Sequence, residues 1–138
     1  MTLAIGVEPL VVPASHRDLL TRPICGVLTT IGPDGHPHSS LVWVDVDATG
    51  CARFNTTLER QQARNLRRDP RASLLVVDPE DTGRFLQVRG DVQLFTNGAV
   101  AHLHALARRY GTTLETADET RVIGRIRARR ITLDAIHA

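Results

Sequence analysis

An antiparallel β-barrel with peripheral helices is the fold class this chain predicts, and three observations predict it. Strand-like segments outnumber helical ones. Short turns join them, which suits antiparallel hairpins and not the long crossovers that parallel strands need. The only long helical stretch falls between the last two strands, as an appendage to a sheet and not an alternating partner of it.

Each element has a local reason. Ser15 before His16, Arg17, Asp18, Leu19 and Leu20 reads as a capped start to a short helix that Pro23 ends. Residues Cys25 to Ile31 are β-rich, Gly32-Pro33-Asp34-Gly35 is turn chemistry, and Pro37 to Val46 resumes as a strand through Leu41, Val42, Trp43, Val44 and Val46. A second turn, Asp47 to Gly50, leads into a strand from Cys51 to Thr56. The period then changes. Thr56-x-x-Glu59 fits a capping box, Ala63 and Leu66 mark one helical face, and Asp69-Pro70 stops the helix. Ala72 to Val77 is a continuous apolar strand, Asp78 to Gly83 a loop, and Phe85 to Phe95 a long strand in which Gly90 marks a bulge or close approach. After Asn97-Gly98, Val100, Leu103, Leu106, Ala107 and Tyr110 share a helical face that ends at Gly111. Thr112 to Thr120 is a loop. The last strand, Arg121 to Leu133, sets Val122, Gly124, Ile126 and Ala128 on one side and Ile123, Arg125, Arg127 and Arg129 on the other.

Composition narrows the function. A chain of 138 residues forms one domain, too short for a dinucleotide-binding domain with a partner domain. No apolar run approaches the ~20 residues of a membrane span, and the start of the chain is not a secretory signal, so a cytoplasmic protein is expected. Cys25 and Cys51 have neither metal nor redox spacing. The net charge of +2 is too small to argue for nucleic acid, and the arginines lack interleaved aromatics. All 17 basic residues are arginine, which excludes a lysine Schiff base and a P-loop lysine. Arginine and alanine enrichment without lysine also points to a GC-rich genome, and so to actinobacteria.

The most informative stretch runs from Leu28 to Val77. Thr56, Thr57, Glu59, Arg60, Arg64 and Asn65 cluster where a strand hands over to a helix. Such a junction offers free backbone N–H groups and a positive dipole end to an anion, which predicts a phosphate site for a flavin-like cofactor. The bland alternative is a solvated arginine face along Arg60, Arg64, Arg67, Arg68 and Arg71. Trp43, the only tryptophan, reads first as core or interface packing and second as a ring-stacking residue. His36 and His38 lie two apart on a strand face but have no third ligand, and His102 and His104 cannot share a helix face, so no metal site is expected. No GxSxG, HExxH, CxxC or Walker pattern is present.

The strings GPDGHPHSSLVWVDVD, FNTT, RQQARNLRRDPRASLLVVDP and RFLQVRGDVQLF resemble the pyridoxamine 5′-phosphate oxidase-like split-barrel superfamily, and within it the flavin/deazaflavin oxidoreductase branch that uses coenzyme F420. The resemblance runs from about Ser15 to the C-terminal strand. It implies a single cofactor-binding domain over residues 1–138, built as a six-stranded antiparallel split β-barrel and assembled as a homodimer with the cofactor in the groove between subunits. It further implies phosphate contacts at Thr56, Thr57, Arg60 and Gln62, with Arg64 and Asn65 nearby, and ring contacts at Ser39, Ser40, Leu41, Val42 and Trp43. Members usually carry lysine where this chain has Gln62. The implied activity is hydride transfer from reduced F420 to an unsaturated or quinone-like small molecule, with no side chain required as acid, base or nucleophile. The alternatives are an FMN-dependent enzyme of the same fold and a non-catalytic split barrel that holds a cofactor or haem.

Overall fold

The computed structural model describes residues 9–114 and 119–134. Seven strands form one antiparallel sheet: β1 (Gly26–Ile31), β2 (Pro37–Val42), β3 (Val44–Val46), β4 (Ala52–Thr57), β5 (Arg71–Val77), β6 (Phe85–Phe95) and β7 (Arg121–Leu133), in the order β2-β1-β5-β6-β7-β4-β3. The edge strands β2 and β3 are neighbours in sequence, separated only by Trp43, so the sheet curls into a split barrel whose opening lies at that residue. The predicted Pro37 to Val46 strand is therefore two. Its first half pairs with β1 and its second with β4, and the chain changes partner at Trp43. That break accounts for seven strands where six were expected.

Inward-facing side chains fill the barrel. Leu28, Val44, Phe54, Leu74, Val76, Leu86, Val88 and Ile126 are fully buried, and Leu19 and Leu20 join the same core from a short 3₁₀ helix, Ala14–Leu20. Ser15 does not cap that helix. Its N-cap is Pro13, and the Ser15 hydroxyl instead meets His16 Nδ1 at 2.8 Å. The glycine expected at a bulge is Gly90: the β6–β7 register shifts between Arg89 and Gly90, and a Cβ there would run into the Arg127 carbonyl. The extra residue reverses the parity of β7. Ile126 and Ala128 face the core before the shift, Ile131 and Leu133 after it.

Two α-helices flank the sheet, α1 (Gln61–Arg68) and α2 (Ala99–Arg109). The capping box expected at Thr56 and Glu59 is not formed. Both threonines belong to β4, the N-cap is Arg60, and no side chain caps the helix. The sheet ladder to β7 claims the backbone of Thr56 and Thr57 first, so the chain cannot turn until Leu58. Glu59 then reaches sideways, and its Oε1 accepts from the Thr120 N–H at 3.0 Å. The end of α2 follows its sequence signal. Gly111 sits at φ 75°, Thr112 N donates to Ala107 O and Gly111 N to Arg108 O, a Schellman arrangement. Of the expected loop Thr112 to Thr120, residues 115–118 lie outside the described residues.

Candidate functional site

A cavity of about 250 Å³ opens where the barrel splits. One wall is Leu41, Val42 and Trp43 from the β2–β3 break; another is Leu103 of α2 with Leu114. The polar end comprises Arg60 and Gln62 at the start of α1, Asn55 of β4 and Arg121 of β7. A larger depression, about 840 Å³, lies on the outer sheet face among Arg71, Arg89, Arg129 and Arg130. Size favours the second and chemistry the first. The smaller cavity joins an aromatic and aliphatic wall to buried hydrogen-bonding groups, which is how small-molecule sites are built.

Trp43 is held from behind. Its ring stacks on Tyr110 at 5.1 Å between centroids and 16° between planes. The Tyr110 hydroxyl donates to Ile24 O at 2.6 Å and accepts from Val44 N at 3.0 Å, so the phenol is fixed at both ends. Burial pushes its pKa up, which keeps that hydroxyl protonated and donating. Arg109 adds a hydrogen bond to Val44 O and lies 5.6 Å over the Tyr110 ring. The result is a rigid aromatic plate at the barrel's opening.

Gln62 is buried, at 5% exposure. Its Oε1 accepts from Ser40 Oγ at 3.1 Å, which leaves the amide nitrogen as the donor toward the cavity that Gln62 lines. The Arg60 guanidinium has no hydrogen-bond or ion-pair partner among the described residues. Behind this end runs a buried polar relay. Asp45 accepts two hydrogen bonds from Arg53, at 2.9 and 2.7 Å, and meets His102 Nε2 at 2.9 Å. His102 Nδ1 lies 3.0 Å from Asn55 Nδ2, which also donates to Ala99 O at 2.9 Å. Burial works to raise the pKa of Asp45, but the hydrogen bonds from His102 and Arg53 outweigh it and hold the carboxyl below its ordinary value.

The residues singled out in the sequence do not all meet at one place. Leu41, Val42, Trp43, Arg60 and Gln62 come together around the cavity, with Ser40 one hydrogen bond behind. Ser39 faces away, bonded to Thr29 at 2.9 Å on the outer sheet surface. Arg64 folds back on its own turn, to Glu59 O and Gln61 Oε1, while Asn65 is fully buried and ties α1 to β1 through Thr30 Oγ1 at 3.0 Å. Thr57 pairs with Arg121 and so shares a sheet face with it; Thr56 faces the other way, with a buried Oγ1 that has no partner among the described residues. Sequence reasoning passed over Asn55, Leu103, Leu114 and Arg121. Asn55 stood inside the quoted FNTT string, but nothing local in Arg121 separates it from its neighbours.

The fold defines a class, the antiparallel split-barrel proteins. The chain belongs to the pyridoxamine 5′-phosphate oxidase-like family: the family model described as pyridoxamine 5'-phosphate oxidase matches residues 12–137. A solved F420 reductase is 33% identical with a TM-score of 0.78, the match covering 88% of this chain and 98% of that one. A conserved hypothetical protein from Mycobacterium tuberculosis is 30% identical with a TM-score of 0.70, over 91% of this chain and 85% of that one. A haem-binding protein from Mycobacterium smegmatis shares the fold at 21% identity and a TM-score of 0.62, over 90% of this chain and 55% of that one.

Proposed function

We propose that the cavity at the Trp43 break receives coenzyme F420, and that the protein is a reductase moving a hydride from the reduced cofactor to an unsaturated or quinone-like small molecule. One observation carries this reading: a rigid aromatic and aliphatic wall, Trp43 with Leu41 and Val42, faces a polar end bearing Arg60 and Arg121. That is the donor set for a flat ring with an anionic tail. The 33% identity to a structure named F420 reductase supports the same choice.

When bound, the deazaflavin supplies the hydride from its own ring. The protein's part is to hold and orient. Trp43, fixed by Tyr110, offers a flat face; Val42 and Leu103 exclude water; Gln62 donates from its amide and Arg60 from its guanidinium. FMN is the second reading, favoured by the same arginine end, which a single phosphate also satisfies. Fluorescence and absorption titrations separate the two. F420 should bind more tightly than FMN, because its longer acidic tail engages more than one arginine. Equal or reversed affinity selects FMN, and binding of neither removes both.

The reading includes a homodimer. Leu41, at the rim of the cavity, is 68% exposed beside Val27, its partner across β1–β2, and Leu75, which pairs with Val27 across β1–β5. A second copy covering this face should bury more than the ~1,000 Å² of a stable contact. Light scattering that gives a monomer at micromolar concentration removes the shared groove.

A further inference from the structure

We propose that Arg121 is a second anion-binding side chain of this cavity, acting beside Arg60, and that Asn55 is the residue that positions it. The inference rests on the proposed cavity but not on the identity of the ring bound there. Arg121 lines the cavity with its side chain 15% exposed. Two acceptors meet it among the described residues, both at long range: Asn55 Oδ1 at 3.3 Å and Glu119 Oε2 at 3.3 Å. The Glu119 side chain is 40% exposed, so water screens much of its charge. A guanidinium carries five N–H donors, and these two contacts leave most of them unused.

The surroundings make the group receptive to an anion. Burial lowers the pKa of Arg121, Glu119 pulls it back, and Arg60 lowers it further, so a second positive charge stands close by. An arriving phosphate relieves both the desolvation and the repulsion at once. Among the described residues the one carboxylate that competes for Arg121 is that of Glu119, long-range and part-exposed.

Asn55 fixes where Arg121 points. Its Nδ2 is committed to Ala99 O and His102 Nδ1, so its Oδ1 is left to accept from Arg121. That arrangement requires His102 Nδ1 to carry a lone pair and Nε2 a proton, donated to Asp45 Oδ2. Asp45 is in turn held by Arg53. Hydrogen bonds are therefore donated inward from the cavity, from Arg121 to Asn55 to His102 to Asp45, and Arg53 donates to Asp45 from the other side.

The test uses inorganic pyrophosphate, which carries the anionic chemistry without a ring. In the wild-type protein, pyrophosphate should slow phenylglyoxal modification of Arg121 and Arg60 together, read by peptide mass mapping, and leave Arg129 on the outer face unchanged. Arg121→Gln should weaken FMN binding by about tenfold while leaving riboflavin binding unaltered, the loss expected of one charge-assisted contact. Arg121→Lys should recover part of the difference. Modification of Arg121 at one rate with and without pyrophosphate overturns the proposal, as does an equal effect of Arg121→Gln on FMN and riboflavin. Protection by pyrophosphate in a protein that binds no F420 or FMN sustains this inference and removes the proposed cofactor instead.

Discussion

Two arginine clusters in this molecule are built from the same residue type and do opposite things. At the 3₁₀ helix, Arg22 and Arg84 face Asp18 and Asp78, with Arg22 to Asp18 at 3.3 Å, Arg84 to Asp18 at 2.5 Å and Arg84 to Asp78 at 3.2 Å. Two charges of each sign balance, and Glu80 adds an exposed carboxylate at the rim. The hydrogen bond from Arg84, followed against the cost of burial by that from Arg22, draws the Asp18 pKa down to about 2. At the cavity, Arg121 pairs with one carboxylate, that of Glu119, and Arg60 pairs with none among the described residues. The first cluster clamps the 3₁₀ helix to the β5–β6 turn. The second has charge to spare. Counting arginines along the chain does not separate them; counting the carboxylates within reach does.

The comparison can be broken, and the largest effect should come at the cavity. Arg60→Ala should weaken binding of a phosphate-bearing cofactor by roughly tenfold to a hundredfold, since a charge-assisted hydrogen bond contributes about 1.5–3 kcal/mol. Its melting temperature should hardly change, because the guanidinium has no partner to lose among the described residues. A fall in stability with intact affinity would reverse the roles assigned to the two clusters.

Arg84→Ala should do the reverse, lowering the melting temperature by several degrees and leaving cofactor affinity intact. The gap between variant and wild type should depend on pH. Asp18 has its pKa depressed in the folded state, so its contribution is fully present above the unfolded value of about 3.9 and fades as pH falls through about 2. Thermal melts at pH 6, 4 and 2 should therefore converge at the acid end. Parallel curves would mean that Arg84 acts by packing alone.

Gln62→Lys is a smaller and sharper perturbation. It places a charge where the amide now donates, and it should tighten anionic cofactor binding several-fold while making that binding more sensitive to salt. Unchanged affinity and salt response would place the phosphate away from the start of α1. Arg68→Ala should matter least. Arg68 lies at the far end of that helix, bonded to Ile31 O at 2.7 Å, so affinity should stay within about twofold, a shift under ~0.5 kcal/mol.

What the sequence determined alone is local in origin. Turn residues, alternating apolar positions and the Asn97-Gly98 and Gly111 signals specified the strands and α2 to within a residue or two, because turns and sheet faces are set by neighbours along the chain. The quoted motifs identified the family, and they located Leu41, Val42, Trp43, Arg60 and Gln62, five residues that now line one cavity. The failures have one cause. The capping box at Thr56 was lost because β7, 66 residues downstream at its pairing residue Val122, claims that backbone first. The strand through Trp43 divided because its two halves pair with different partners. Arg121 enters the cavity because Leu58 and Glu59 bind Thr120 and set the start of β7 beside Arg60. His102 reaches Asp45 across 57 residues. Register and long-range hydrogen bonds form between segments that carry no mark of one another in the sequence, and only the closed barrel brings them within bonding distance.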